Sequence, residues 1–300
     1  MSQPETISVL IQAREAIQLQ SLVKEFNQKN PDLNLEIVEA PNASDRIKDL
    51  YTASFLLGDS PYDLVYMDIF WTAQFAAAGW LMPLDDRLAS SELARFLPRD
   101  ISASKYQNKL YRIPFRSDAG MLYYRSDILA EADKQPPKTF AELIAIAREI
   151  EDRENKIDWG YLWSGKQYEG LAAVFVEILA GYGGFWLDSD TLEVGLDRQN
   201  AIDAVKFLRA TIADSLSPQG VTTYIEPDLH RLFIAGKSAF MRNWSYVYAL
   251  ASQPNSPIKD KFAIEPMVSS PDYNGGACLG GWGFGIAKTS QHPDAAWRVI

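Results

Sequence analysis

The chain has 300 residues, of which 47% are hydrophobic and 23% are charged, and its 29 basic and 39 acidic side chains give a formal net charge of −10. This length predicts about two domains, and the lack of a stripe of lysine and arginine excludes nucleic acid as the main partner. The single cysteine, Cys278, excludes an intrachain disulfide framework and any CxxC motif, and no apolar run approaches the ~20 residues that span a bilayer.

The first half alternates strands with helices. Residues 7–11 form an apolar run that predicts a buried strand, and the apolar residues at 19, 22, 23 and 26 predict one face of a helix. The further predicted elements are strands at 33–37 and 64–67, a helix at 44–57 that ends at Gly58, and a helix that ends at Gly79. Alternation of this kind predicts a doubly wound α/β sheet.

A second series of elements starts near Arg116, where "GMLYYRS" predicts a strand that leads to an N-cap at Ser126-Asp127. Thr139 and Glu142 have the spacing of a capping box before a helix. The other elements predicted in this half are helices at 168–181, 200–213 and 226–236 and strands within 238–244, 261–267 and 280–287.

Enzyme motifs are absent from the sequence. The two histidines, at 230 and 292, do not form an HExxH motif, and there is no GxSxG elbow or Walker lysine loop. The glycines of "LGGWGFGIA" run into a predicted strand rather than a helix, which argues against a dinucleotide loop. We expect Gly280 and Gly281 to allow a close approach of the backbone beside Trp282.

Polar side chains follow several predicted strands. Glu15 and Asp68 come just after two strands of the first half, and Arg116 and Asp118 follow a third. Ligands of open α/β sheets bind beyond the carboxyl ends of strands. Carboxylates and arginine bind sugar hydroxyls, and the indoles of Trp71, Trp244 and Trp282 could stack on sugar rings. Taken alone, an Asp at a strand end is more often a cap or a surface residue, and a Trp is more often core.

Six segments, in order, resemble the extracytoplasmic sugar-binding proteins of ABC importers, of the maltose/trehalose type (solute-binding protein family 1). They are "FNQKNPDLNLEIVEA", "YDLVYMDIFWTAQFAAAGWLMPLDD", "NKLYRIPFRSDAGMLYYRSDIL", "YEGLAAVFVEIL", "GKSAFMRNWSY" and "GGACLGGWGFGIAKTSQHPDAAWRVI". The resemblance implies a two-lobed α/β fold of the periplasmic binding protein type (type II), in which each lobe has a mainly parallel sheet flanked by helices and a sugar binds in the cleft between the lobes. The implied first lobe is 1–115 plus 264–300, and the second is 116–263.

The resemblance also implies a function. The chain would bind a disaccharide or related glycoside, such as trehalose, maltose, sucrose or glucosylglycerol, by hinge closure and deliver it to ABC transporter permease subunits in the membrane. It would be a monomer outside the cytoplasm, with no catalytic residue, cofactor or metal. The implied sugar-binding residues are Glu15, Arg46, Asp68, Arg116, Asp118, Tyr168, Trp244, Gly280, Gly281 and Trp282. Asp68 would bind hydroxyls and Trp244 would stack on a sugar ring, and Tyr168 matches the family less closely.

Two features depart from the family. The N-terminus lacks a signal segment and a lipid-anchor cysteine, which is expected either of a cytoplasmic protein or of a mature form with an added Met. "HPDAAWRVI" starts a helix that stops after about two turns, so we expect the natural chain to continue. The family's C-terminal helices, which complete the second lobe, are missing from these 300 residues, and without them we expect that lobe to expose apolar surface.

Two alternatives stay open. A glycoside hydrolase could take its pair of carboxylates from Glu15, Asp68 and Asp118. The same fold could also carry a polyamine, a metal or a glycerol phosphodiester, although a phosphate would favour more positive charge than Arg46 and Arg116 supply. Iron would favour clustered Tyr or His ligands.

Overall fold

The computed structural model describes residues 3–58, 60–153, 157–188 and 190–300. The chain divides into two compact units, of which the first comprises Met1–Ser117 and Gly280–Ile300 and the second Asp118–Leu279. The resemblance implies a first lobe of 1–115 plus 264–300, whereas the division into units keeps 116–117 in the first unit and 264–279 in the second. The reason is that Glu265 pairs with Leu122 and that Met267 and Val268 are buried in the second unit's core.

The first unit contains a mixed sheet with helices around it. Its elements are β1 (Glu5–Gln12), α1 (Ala13–Lys29), β2 (Leu33–Ala40), α2 (Ser44–Leu56), β3 (Leu64–Asp68), α3 (Thr72–Ala77), α4 (Ser90–Leu93), α5 (Pro98–Ala103), β4 (Lys105–Tyr106), β5 (Lys109–Leu110) and the start of β6 (Ile113–Tyr124). Two single-turn 3-10 helices cover Ile69–Trp71 and Asp85–Arg87.

The second unit is richer in helix. Its elements are the end of β6, then α6 (Ser126–Glu131), α7 (Phe140–Arg153), β7 (Trp159–Leu162), α8 (Glu169–Gly181), α9 (Gln199–Ala213), a 3-10 helix (Gln219–Thr223), α10 (Glu226–Ile234), β8 (Ser238–Trp244), α11 (Tyr246–Ala251) and β9 (Ala263–Glu265). The chain returns through β10 (Leu279–Ile286) and ends in the first unit with α12 (Pro293–Val299).

The sheet of the first unit has the strand order β2-β1-β3-β10. β1 is parallel to β2 and β3, and β10 is antiparallel to β3 with Trp282 opposite Asp68. The carboxyl ends of β1 and β3 therefore lie at the same edge. Tyr51 of α2 fixes the core beside them, because its buried hydroxyl donates to Leu10 O at 2.9 Å and accepts from Tyr66 N at 3.1 Å.

The sheet of the second unit is mixed, whereas the resemblance implies a mainly parallel sheet. β7 runs parallel to β8, but β8 and β9 are both antiparallel to β6, and Gly120 lies opposite Trp244. β6 therefore runs in the direction opposite to both of its neighbours in this sheet. The periodicity of the sequence reveals the strands but not their directions.

The predicted helix starts differ in outcome. The capping box of α7 is confirmed, because Glu142 N donates to Thr139 Oγ1 at 3.1 Å and Thr139 N donates to Glu142 Oε2 at 3.2 Å. The predicted cap at Ser126-Asp127 is wrong, since the cap residue of α6 is Arg125. The Arg125 guanidinium donates to both carboxylate oxygens of Asp127, at 2.8 and 2.6 Å, so this carboxylate serves an ion pair instead.

Within the ranges that the structure describes, no helix combines the length and the apolar character needed to cross a membrane.

Candidate functional site

The first cluster of polar side chains lies in the first unit and centres on Glu15. This residue is in the first turn of α1, just beyond β1, and is only 7% exposed. Its Oε1 is 2.7 Å from Arg116 Nη2, and its Oε2 accepts a hydrogen bond of 2.5 Å from the Tyr66 hydroxyl. Arg14 Nη2 lies 3.7 Å from the same Oε1. The structure therefore brings two of the predicted residues, Glu15 and Arg116, into direct contact.

Tyr66 connects this ion pair to the aromatic side chains of β10. Its ring stacks on that of Trp282, with 4.9 Å between the centroids, and the Arg116 guanidinium is 6.0 Å from the Trp282 ring centroid. Burial, and then the negative charge of Glu15, hold the pKa of Tyr66 well above its ordinary value. The hydroxyl therefore remains a neutral donor at physiological pH, and it fixes the direction of the Glu15 carboxylate.

Asp68 ends β3 and is 8% exposed. Its Oδ1 accepts a hydrogen bond of 3.2 Å from Phe70 N, which caps the 3-10 turn that follows. The local sequence favours this turn because a carboxylate placed before a helical turn satisfies a backbone N–H that has no partner within the turn. Phe70, in contrast, is 54% exposed beside Asp68.

A fully buried arginine, Arg112, lies behind this edge. Its Nη1 donates to Ser104 Oγ at 2.9 Å. Burial lowers the pKa of Arg112, and the nearby carboxylates of Asp68 and Asp100 oppose that effect. The charges of Arg112 and Asp68 therefore attract each other at this end of β3.

The other residues predicted in this unit have different surroundings. Gly281 has a φ of +144°, and a Cβ there would lie 2.5 Å from the carbonyl oxygen of Arg116, so its close approach is to the chain's own backbone. Gly280 is buried beside it in β10. Arg46 is exposed in the first turn of α2, and among the described contacts none joins it to Glu15. Trp71 is 2% exposed with its ring against Trp282, at 5.2 Å, and belongs to the core.

The second cluster lies in the second unit, where β8 ends. Trp244 is half-buried, and its Nε1 donates to Glu226 Oε1 at 3.1 Å. The other oxygen of Glu226 accepts a short hydrogen bond from the Tyr168 hydroxyl. Asp118, 8% exposed at the start of this unit, accepts a hydrogen bond of 2.7 Å from Ser245 Oγ. Two predicted residues, Tyr168 and Trp244, thus share one carboxylate, and Asp118 is held by the neighbour of Trp244.

A buried ion pair supports the inner face of the Trp244 indole. Arg242 and Glu177 are both fully buried and form two hydrogen bonds of 2.7 Å. Burial alone would lower the pKa of Arg242, but Glu177 outweighs it and the pKa is raised. The guanidinium carbon lies 4.0 Å from the centroid of the Trp244 ring, a cation–π distance.

Four residues of these clusters, Tyr66, Glu177, Glu226 and Arg242, are missing from the prediction. Two of them carry a signal in the sequence, since side chains two residues apart in a strand share a face. Tyr66 precedes Asp68 by two positions, and Arg242 precedes Trp244 by two. Glu177 and Glu226 carry no such signal, because they reach the cluster from helices distant in sequence.

The chemistry that these clusters can perform is recognition of a polar ligand. The two oxygens of Glu15 contact two donors, the Tyr66 hydroxyl and Arg116 Nη2, an arrangement that suits a fixed hydrogen-bond acceptor. In the described portion of the chain, no three His, Cys, Asp or Glu side chains form a group that could hold a metal ion.

Comparison with known proteins gives a consistent result. The profile of the bacterial extracellular solute-binding protein family matches residues 12–300. A "Probable ABC transporter-binding protein" of Deinococcus radiodurans is 31% identical over 89% of this chain, and the "Maltotriose-binding protein" of Pyrococcus abyssi is 28% identical over 97%. The chain spans 64% and 60% of the lengths of these two curated relatives.

Solved structures agree with this match. The structure described as maltose-bound T. maritima MalE3 has a TM-score of 0.93 and 34% identity, covering 98% of this chain and 76% of that one. A solute-binding protein from Thermotoga lettingae, bound with α-D-tagatose, has a TM-score of 0.88 and 25% identity, covering 98% and 76%. The predicted fold class, the two-lobed α/β fold of periplasmic binding proteins, is confirmed by these neighbours.

Proposed function

The chain belongs to the bacterial extracellular solute-binding protein family, and from this premise we propose that it is the sugar-binding component of an ABC importer. The predicted family is confirmed, and a family of binding proteins agrees with the prediction that the chain is not an enzyme. The sugar, the transporter and the mode of binding are parts of the proposal.

The observation that carries the proposal is the half-buried indole of Trp244, which donates to the Glu226 carboxylate, with Asp118 held by the next residue, Ser245. An indole face suits the C–H face of a sugar ring, and carboxylates accept hydrogen bonds from its hydroxyls. The first unit adds Glu15 and Arg116, an acceptor and a donor of the kind that sugar hydroxyls need. Asp68 at the same edge is a further proposed contact.

The names of similar proteins support a sugar as the ligand. The Pyrococcus abyssi relative is named for maltotriose, and the T. maritima structure contains maltose. We propose a disaccharide or related glycoside, with trehalose, maltose, sucrose and glucosylglycerol as the candidates. A second candidate class is a monosaccharide or alditol, which is supported by the mannitol-binding relative of Pseudomonas aeruginosa, 25% identical over 97% of this chain.

Location and partners follow from the family. An extracellular solute-binding protein acts outside the cytoplasm, and we propose that membrane permease subunits receive its ligand. Hinge closure on the sugar, delivery from the closed form and a monomeric state belong to the same proposal. The ten residues that the sequence assigns to sugar binding are its proposed contacts, except that the observed surroundings of Gly281 support a backbone role there.

The experiment is a ligand panel. Thermal unfolding and isothermal titration calorimetry of the purified protein would be measured with trehalose, maltose, sucrose, glucosylglycerol, glucose and mannitol. Spermidine and glycerol phosphate would test the other cargo classes. A ligand present at 100 times its dissociation constant stabilises the protein by about 2.7 kcal/mol, which raises the midpoint clearly. Binding of at least one sugar is expected; binding of spermidine or glycerol phosphate alone would contradict the proposal.

A further inference from the structure

Glu226 occupies an unusual position at the start of α10. It is the first residue of the helix, and its carboxylate reaches two aromatic side chains from other elements: Oε1 accepts from Trp244 Nε1 and Oε2 accepts from the Tyr168 hydroxyl. Tyr168 also lies 3.3 Å from Ser164 Oγ through the same hydroxyl. One carboxylate therefore sets the rotation of both rings.

The inner face of the indole is occupied as well. The Arg242 guanidinium lies against it at 4.0 Å and is fixed by its two hydrogen bonds to Glu177. Glu177 Oε1 also accepts a hydrogen bond of 2.9 Å from Cys278 N, so a backbone group helps to fix the ion pair. The ring has an ion pair on one face and a fixed Nε1 at its edge, and a ligand can stack only on the other face.

We propose that Glu226 positions Trp244 and Tyr168 as one preformed surface, here called the indole platform, which recognises an uncharged polyhydroxylated ligand. This inference rests on the proposed sugar-binding function and deepens it by naming the residue that orients the stacking ring and the charge class of the ligand. Glu226 acts in this role through the two aromatic rings.

Preformation matters because a free Trp side chain would lose rotamer freedom on binding. A ring fixed before the ligand arrives has already lost that entropy, so the ligand binds more tightly. A carboxylate can accept about four hydrogen bonds, and Glu226 uses two of them here, so acceptor capacity remains for hydroxyls.

Charge restricts the ligand class. The platform carries Glu226, and Asp118 is held by Ser245, the residue after Trp244. Two carboxylates in one cluster disfavour a phosphate or carboxylate ligand by like-charge repulsion. The positive charge of Arg242 is balanced by its ion pair with Glu177 behind the ring. The platform thus selects neutral polyols over sugar phosphates.

The first test needs no ligand. Indole ¹H–¹⁵N spectra would be recorded for the wild type, Glu226→Gln and Glu265→Gln, with the Trp244 signal assigned by its loss in Trp244→Phe. Glu265 is an exposed carboxylate in β9 and serves as the matched control. In Glu226→Gln, one acceptor oxygen is replaced by an NH2 group, so the side chain no longer has two oxygens to accept hydrogen bonds from the two rings. The indole N–H signal of Trp244 should therefore shift, and its proton should exchange with solvent faster. An unchanged signal would overturn the positioning role.

The second test uses the sugar that the wild type binds best. Glu226→Gln should bind this sugar at least about tenfold more weakly than the wild type. Its unfolding midpoint should stay close to that of the control variant Glu265→Gln. The control variant should bind the sugar like the wild type. The 6-phosphate of glucose should not compete with the sugar. Equal binding by Glu226→Gln and the wild type would overturn the inference while leaving sugar binding intact. If the wild type binds no sugar, the proposed function fails, and the indole spectra alone decide the role of Glu226.

Discussion

Asp68 caps the turn that follows β3, and we propose that it also binds hydroxyls of the sugar. Oδ1 accepts from Phe70 N, which stabilises the turn after the strand. The carboxylate is nearly buried and close enough to Arg112 to interact with its charge. The proposed binding of sugar hydroxyls is tested by comparing the loss of this carboxylate with the loss of a carboxylate that caps a turn outside the site.

Asp68→Ala should weaken sugar binding by about 1–3 kcal/mol, since it leaves ligand hydroxyls without a partner in a site shielded from water. Calorimetry measures this loss. Asp188→Ala is the matched control, because Asp188 Oδ1 also accepts from nearby backbone, Asp190 N at 3.0 Å and Thr191 N at 2.8 Å, but lies outside both clusters. Equal affinity of Asp68→Ala and Asp188→Ala would limit Asp68 to its role as a cap.

Gly120 is required by the ion pair next to it. It lies opposite Trp244 in β6, and a Cβ there would be 1.7 Å from Glu177 Oε1 and 2.6 Å from Arg242 Nη2. Gly120→Ala must displace a fully buried, hydrogen-bonded pair, so we expect a loss of about 3 kcal/mol in the free energy of unfolding.

Urea denaturation measures the effect of Gly120→Ala, with Gly220→Ala as control. A Cβ at Gly220 would meet the Tyr224 hydroxyl at 3.4 Å, an ordinary contact distance, so the control should stay within about 0.5 kcal/mol of the wild type. A small loss in Gly120→Ala would mean that Glu177 and Arg242 can move apart without penalty.

At the scale of elements, the start of α7 gives the sharpest prediction. Thr139→Ala removes the side-chain acceptor for Glu142 N and should cost about 1 kcal/mol of stability. Thr222→Ala, at an exposed threonine in the second unit, is the control and should be nearly neutral. Chemical denaturation of both variants decides the matter, and equal midpoints would argue that Glu142 alone holds the helix start.

Periodic elements could be predicted from the sequence, and their pairing could not. The strand predicted within 238–244 spans Ser238–Trp244, where the apolar residues 239–241 follow a turn at Gly236. β6 is longer than expected, since it begins at Ile113 and continues through the charged residues Arg116 and Asp118, which hide its alternation.

Some residues of the candidate site could likewise be predicted from the sequence, and others could not. Strand-end residues such as Glu15 and Asp68 could be found because parallel strands bring their carboxyl ends to one edge. The shared carboxylate Glu226 could not, since its meeting with Trp244 and Tyr168 depends on how α10 packs beside β8. The burial of Trp71 could not be predicted either, because an aromatic residue after a strand is compatible with a core position and with a binding surface.

At the scale of the whole molecule, the proposed function requires that one sugar be bound by residues of both units. In this proposal, only a closed arrangement would make both sets of contacts, and sugar binding would stabilise it relative to the open one. Small-angle X-ray scattering should therefore show a smaller radius of gyration when the preferred sugar is present at saturation. The decrease should follow the fraction bound, as measured by calorimetry.

Trp244→Ala separates closure from sugar binding. Without the indole, the second unit loses its stacking surface while Glu15 and Arg116 remain, so residual binding at high sugar concentration should produce a smaller decrease in the radius of gyration. The exposed Tyr248→Ala, which lies on α11 outside both clusters, should close like the wild type. Saturated wild-type protein whose radius of gyration does not change would contradict hinge closure, and sugar binding would then need contacts from one unit alone.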